Sequence, residues 1–188
     1  MDTDHNGVIG DDDKVDLGNG LPKYTFGMNF SIGYKGFDLS ANLTGAADFQ
    51  IVQSYRDPSA PQNNYSRRIL DRWTGEGTSN KIPRVTYGDA GNWVFSDLYM
   101  QDGDYIRLQN LTLGYDFKKL IAWKGLSKMR LYFQVQNLFT LTKYDGMDPE
   151  IGSYNGTDGN SSDSWVSGVD MGYYPHPRTF IVGVNVAF

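Results

Sequence analysis

Residues 24–44 read YTFGMNFSIGYKGFDLSANLT, and their two-residue period decides the fold. Tyr24, Phe26, Met28, Phe30, Ile32 and Tyr34 fall on one side of an extended chain, while Thr25, Gly27, Asn29, Ser31 and Gly33 fall on the other. Lys35-Gly36 marks a tight turn. After it Phe37, Leu39, Ala41 and Leu43 alternate with Asp38, Ser40, Asn42 and Thr44, so the two runs form a β-hairpin. The same period recurs further along. In 105–117, Leu111, Leu113, Tyr115 and Phe117 oppose Asn110, Thr112, Gly114 and Asp116. In 128–140, Met129, Leu131, Phe133, Val135 and Phe139 oppose Arg130, Tyr132, Gln134 and Gln136. In 180–188, Phe180, Val182, Val184, Val186 and Phe188 alternate with Ile181, Gly183, Asn185 and Ala187.

Two properties of these runs point to a membrane wall. At ~3.3 Å per residue, about eleven residues tilted by ~40° cover about 25–30 Å, the thickness of a bilayer's hydrocarbon core. Aromatic side chains recur at the strand ends (Tyr24, Tyr34, Phe37, Tyr115, Phe117, Phe180 and Phe188), where an interfacial girdle would place them. The small and amide residues of the opposite face suit a wet lumen. The connections alternate in length: Lys35-Gly36 is short and 118–127 moderate, whereas 47–103 and 141–175 are long. That layout predicts an all-β, antiparallel transmembrane β-barrel segment with long extracellular loops and periplasmic turns. Five strands cannot close a barrel whose smallest membrane form has about eight, so the chain reads as part of something larger. A soluble antiparallel sheet resting on a protein core is the competing reading of the same pattern.

Composition removes several classes of function. The 188 residues include no Cys, which excludes disulfides, zinc-thiolate sites and a cysteine nucleophile. The net charge of −5 argues against nucleic acid, because an acidic chain does not neutralise phosphates in bulk. Tyr (13), Phe (10) and Gly (22) are abundant, which favours β structure over a helical bundle. No apolar run approaches the ~18 residues of a membrane-spanning helix. The start, MDTDHNGVIGDDD, is acidic where a signal peptide is basic and then apolar, so none is expected.

That acidic start carries a second motif. Counting Asp2 as position 1, Asp4 is position 3, Asn6 is 5, Gly7 is 6, Val8 is 7 and Asp13 is 12, which is the EF-hand ligand spacing. Asp2, Asp4, Asn6 and Asp13 offer side-chain oxygens and Val8 its carbonyl, an oxygen set that suits a hard cation, so calcium in a structural role is expected. Asp13 stands where Glu is usual, which shortens its reach. No helix pattern flanks the loop, so residues 1–20 are expected to form an isolated metal loop on the extracellular side. A solvated acidic leader is the alternative.

Other candidates are weaker. Tyr65–Trp73 (YSRRILDRW) predicts a short helix, with Arg67, Arg68 and Arg72 beside Asp71 as a surface ion-pair cluster. Asp148-Pro149-Glu150 reads as a turn, and His176, between Pro175 and Pro177, as a rigid junction before the last strand. Trp73, Trp93, Trp165, Tyr154, Tyr173 and Tyr174 sit in or beside long loops, where packing is their expected role. There is no nucleophile motif, phosphate loop or zinc signature, so no enzyme is expected.

Several stretches together resemble one family: DTDHNGVIGDDD, GNGLPKYTFGMNFSIGYKGFDLSANLTG, LDRWTGEG with KIPR, DGDYIRLQNLTLGYDF, KMRLYFQVQNLFTLTKYDGMDPEIG and YYPHPRTFIVGVNVAF. In this order they resemble the C-terminal part of SusC/RagA-family TonB-dependent outer-membrane transporters. Asn6 departs from that pattern, since the family often has Asp there. The resemblance implies that residues 21–188 are the C-terminal part of a 22-stranded barrel in the cell outer membrane. It implies a SusD-like surface lipoprotein as partner, an oligosaccharide or peptide as substrate, outer-membrane lipid around the wall and no nucleic acid. Energy would come from the TonB complex through N-terminal parts not in this chain, and Phe188 would serve as a signal to the barrel-assembly machinery. A soluble calcium-dependent carbohydrate-binding β-domain remains the alternative at this point.

Overall fold

The structure, a computed structural model, describes residues 3, 5–8, 10–54, 66–85, 95–121, 123–151 and 167–188. Eight strands follow one another along the chain: β1 (Tyr24–Tyr34), β2 (Phe37–Ala47), β3 (Gln50–Gln53), β4 (Met100–Asp102), β5 (Tyr105–Asp116), β6 (Lys128–Thr142), β7 (Val169–Asp170) and β8 (Thr179–Ala187). The described residues contain short 3-10 turns but no α-helix. The five long strands are those expected from the two-residue period, and they form one antiparallel sheet in the order β1-β2-β5-β6-β8.

Register aligns like with like across this sheet. One row runs Ile32, Leu39, Leu113, Phe133, Val182, and the next runs Phe30, Ala41, Leu111, Val135, Phe180. The opposite face carries the row Asn29, Asn42, Asn110, Gln136, Thr179. A one-residue slip would exchange the two faces, so this match fixes the register. The apolar face has no covering layer among the described residues: Phe26, Phe30, Phe133, Phe180 and Val182 are all exposed. A soluble sheet resting on a core would bury them.

One irregularity resets the pattern. Asn42 pairs with Asn110 but Leu43 pairs with Leu108, so Gln109 is an extra residue, a β-bulge. On β6 the ladder resumes at Phe139 after Gln136, past Asn137 with φ 51°. The bulge places Leu108 in the apolar row with Leu43 and Phe139, and puts Arg107 opposite Thr44 and Thr140 on the polar face.

The chain's own core lies at the long-connection end, on the polar side of the sheet. Ala46, Phe49, Ile51 and Tyr144 are buried together, with Tyr105 and Ile151 against them. A second, three-stranded sheet in the order β4-β3-β7 builds this region. It was not expected from the sequence. β3 pairs antiparallel with β4 but parallel with β7, so the antiparallel expectation does not extend here. β7 reaches β3 from the other long connection, and that route sets its direction where a hairpin would have reversed it. Gly168, at φ +81°, gives its carbonyl to the Val52 N–H at 2.7 Å and lies against Gly20. A Cβ there would stand 2.5 Å from the Gly20 Cα, so only glycine fits.

The expected helix over Tyr65–Trp73 is a single 3-10 turn, Arg67–Asp71, capped by the Ser66 hydroxyl, which accepts from the Arg68 N–H at 3.3 Å. The arginine cluster is also different from the expectation. Arg68 reaches across to Asp145 at 3.8 Å, and the Arg72 guanidinium donates to the Ile69 carbonyl. Trp93, Tyr154 and Trp165 lie outside the described residues.

Candidate functional site

Three features of the polar side and the loops carry specific chemistry. The first centres on Arg107, which is 2% exposed. Its Nε donates to Thr140 Oγ1 at 3.0 Å, one Nη to Glu150 Oε2 at 2.7 Å, and the other Nη to Asp148 Oδ1. The remaining Asp148 oxygen accepts the His176 backbone N–H at 3.0 Å, and Asp148 Oδ1 also accepts the Glu150 N–H at 2.9 Å. His176 Nδ1 lies 3.0 Å from Arg107 and 3.1 Å from Asp148, so it accepts from one or donates to the other according to tautomer. Burial alone would raise the Asp148 carboxyl. The backbone N–H groups of His176 and Glu150, with the His176 ring and the Arg107 guanidinium, outweigh it and hold the carboxyl below the usual range. Arg107 thus spends its fork on fixed partners and ties both halves of the 143–178 connection to β5. Removing one member of such a pair strands a buried charge.

The second feature is the amide band on the polar face. Asn42 Nδ2 donates to Asn29 Oδ1 at 2.5 Å, and Gln134 Nε2 donates to Asn110 Oδ1 at 3.2 Å. Asn29, Ser31, Ser40, Asn42 and Asn110 line an open groove of about 250 Å³. Nearer the short turn, the Arg130 Nε crosses β5 to reach Asp38 at 2.8 Å. Gly114 clears that path, since a Cβ there would lie 2.5 Å from both groups.

The third is the N-terminal loop. Gly7 has φ +82° and His5 φ +61°, so the chain reverses where the motif requires it. The Asn6 carboxamide oxygen accepts the Val8 N–H at 2.7 Å. Asp13 is turned inward: its carboxylate accepts the Thr3 N–H at 2.6 Å and the Gly10 N–H at 2.8 Å, which closes the loop on itself. In the described part of the loop the Asn6 and Asp13 side-chain oxygens accept backbone N–H groups of the loop itself, and among the described residues no group of three or more acidic or histidine side chains is placed to hold a metal ion. Asp2 and Asp4 lie outside the described residues.

No protein-family model matches the chain. Among curated proteins, it is 32% identical over 189 residues to TonB-dependent receptor P3 of Formosa agariphila, covering 100% of the chain and 18% of the relative. It is 27% identical over 191 residues to TonB-dependent receptor SusC of Bacteroides thetaiotaomicron, covering 100% of the chain and 17% of the relative. Among solved structures, a chain of the RagAB peptide importer in its closed-closed state superposes with a TM-score of 0.66 at 21% identity, over 90% of this chain and 18% of that one. The chain is a SusC/RagA-like receptor segment. Its place is the outer membrane, and it spans less than a fifth of the relatives it matches.

Within this SusC/RagA-like segment, the sequence pointed to Asp148, Glu150 and His176 separately, as a turn and a junction. The structure joins them through Arg107, which sequence reasoning passed over. A period of two counted back from Leu111 sends residue 107 to the apolar face, and only the bulge at Gln109 returns it to the polar side. The available signal was an arginine inside a strand, a residue that cannot face lipid without cost.

Proposed function

We propose that this chain supplies the C-terminal wall strands and outer loops of a SusC-like, TonB-dependent outer-membrane importer. The observation that carries the reading is the five-stranded sheet, apolar on one whole face with no layer over it among the described residues, and amide-rich on the other. In this reading acyl chains cover the apolar face and water wets the polar one. Residues 21–188 are then barrel wall, and the three-stranded sheet with its core is a cap of extracellular loops folded toward the lumen. The curated relatives, named as TonB-dependent receptors, support import as the activity; the proposed cargo is an oligosaccharide or a peptide. A SusD-like lipoprotein would meet the cap, and the TonB complex would act through parts beyond this chain. The work proposed is transport, without covalent chemistry.

This chain holds no native cysteine, so in a full-length receptor whose other cysteines, if any, are replaced by serine the test is direct. Single cysteines at Val182 and Asn185 of the full-length receptor, labelled in outer membranes, should react in opposite ways. A membrane-soluble maleimide should modify position 182, and a charged one should reach position 185. Equal labelling of position 182 by the charged reagent would overturn the wall assignment.

Residues 1–20 are proposed as an extracellular calcium loop, with Asp2, Asp4, Asn6 and Asp13 giving side-chain oxygens and Val8 its carbonyl. The positive φ at Gly7 and the inward Asp13 carboxylate support it. Calcium would brace the loop where it enters the wall. Calorimetry of the receptor should show one calcium event lost in the Asp2→Ala, Asp4→Ala double variant, with the wall strands intact. Unchanged binding would remove the site.

A further inference from the structure

We propose that the short-turn end of the apolar face is a contact surface for anionic phospholipid, with Lys35 and Lys124 meeting the phosphates beside an aromatic belt. The belt is continuous with the apolar wall. The rings of Phe37 and Tyr115 lie 4.4 Å apart, Tyr115 and Phe117 4.8 Å, and Trp123 packs edge-on against Phe188 at 5.9 Å. Phe188 continues the row Phe180, Val182, Val184, Val186, so Trp123 is held on the apolar side. The turn that presents it is firmly built. Asp116 caps the 3-10 turn Phe117–Lys119, Lys118 Nζ donates to the Leu126 carbonyl, and Leu126 is buried. Leu120 and Trp123 nevertheless stand out, at 68% and 59% exposed. Apolar tips held out by a rigid turn, next to lysines, are the composition of a membrane interface.

The decisive contrast is between the two ends of the same hairpin. At the long-loop end, Lys23 lies 5.6 Å from the Tyr24 ring and is neutralised by Asp48 at 3.1 Å. At the short-turn end, Lys35 lies 5.1 Å over the Tyr34 ring, and among the described residues no carboxylate pairs with it or with Lys124. Residues 117–128 hold Lys118, Lys119, Lys124 and Lys128; Asp116 caps the start of this turn through the Lys118 N–H, and Lys128 lies in the field of Asp38, which leaves Lys124 as the exposed lysine beside Trp123. A cation held at an aromatic girdle, with no carboxylate paired to it among the described residues, fits an anionic headgroup.

This inference rests on the wall reading, and the experiment separates the two. The full-length receptor is placed in phosphatidylcholine vesicles doped with brominated phosphatidylcholine or with brominated phosphatidylglycerol. The Trp123 signal is the fluorescence lost in Trp123→Phe. Brominated phosphatidylglycerol should quench it at a several-fold lower mole fraction than brominated phosphatidylcholine. Lys35→Gln and Lys124→Gln should each remove about five-fold of that preference, and the Lys→Arg pair should keep it. The phosphatidylglycerol retained per receptor in native mass spectrometry should fall in the double glutamine variant. Equal quenching by the two lipids, or a preference that survives in the double variant, overturns the phospholipid assignment and leaves the wall standing. Quenching by neither lipid overturns both.

Discussion

Ile51 in the cap is fully buried, while Val182 in the wall, equally apolar and equally part of a strand, is 70% exposed. The two regions satisfy the hydrophobic effect with different neighbours. The cap brings its own: Phe49, Ile51, Ala46 and Tyr144 close on one another, and the Tyr144 hydroxyl donates to the buried Asp170 at 2.6 Å. The wall provides only one side of its contact, and in the proposed reading the membrane provides the other. Polar groups follow the same division. In the cap they are buried and paired, as at Arg107, so each partner is costly to remove. On the wall's inner face they form a half-wet band whose members are more replaceable.

This division can be broken from either side, in the full-length receptor. The largest effect is expected at the latch. Arg107→Met leaves Asp148 buried without its ion partner and should destabilise the cap by about 3–5 kcal/mol. Hydrogen exchange should then rise in 143–151 and 172–178 while β6 and β8 stay protected; loss of protection throughout the wall would show that cap and wall are one unit. In the wall, Val182→Arg should cost about 2–4 kcal/mol through its contact with lipid, read from denaturant titration of the folded receptor. A cost near zero would mean that residue 182 does not face acyl chains. Gly168→Ala meets the Gly20 backbone at a positive φ and should cost about 1–3 kcal/mol, confined to the cap by the same exchange measurement.

Acid offers a milder route into the latch. Because the folded Asp148 carboxyl is held below its ordinary value, its contribution is fully present above the ordinary carboxylate range and is lost as pH falls through the lowered value. Protection in 143–151, corrected for the intrinsic pH dependence of amide exchange, should therefore stay flat from neutral pH down to about pH 4 and fall below it. An onset near pH 6 would point to a different group. The smallest effect is expected on the polar wall. Thr44 Oγ1 is buried without a hydrogen-bond partner among the described residues, so Thr44→Val should leave stability unchanged or raise it by up to about 1 kcal/mol. A larger loss would reveal a partner for that hydroxyl.

The wall was legible because its strands are long and repeat every two residues, from Tyr24–Tyr34 to Thr179–Ala187. The cap was not, and the reason is physical. β3, β4 and β7 have 4, 3 and 2 residues, too few to show a period, and β7 joins β3 from far along the chain. Such strands exist because tertiary packing holds them, and no local preference announces that. The candidate sites divide similarly. The proposed N-terminal metal loop is a reading of spacing alone, to which the structure adds the positive φ of Gly7. The Arg107 cluster was invisible because its members come from three segments and its centre depends on a break in the very pattern used to read β5.

Gln109 shows what one surplus residue can accomplish. It divides β5 into two stretches of opposite parity, so inside and outside trade places along a single ribbon. Downstream the odd-numbered side chains lie on the apolar face, and upstream the even-numbered ones do. Were that one glutamine paired regularly in the ladder, with no bulge, the guanidinium of Arg107 would turn to the apolar face and Leu108 to the polar one, inverting both without altering either residue.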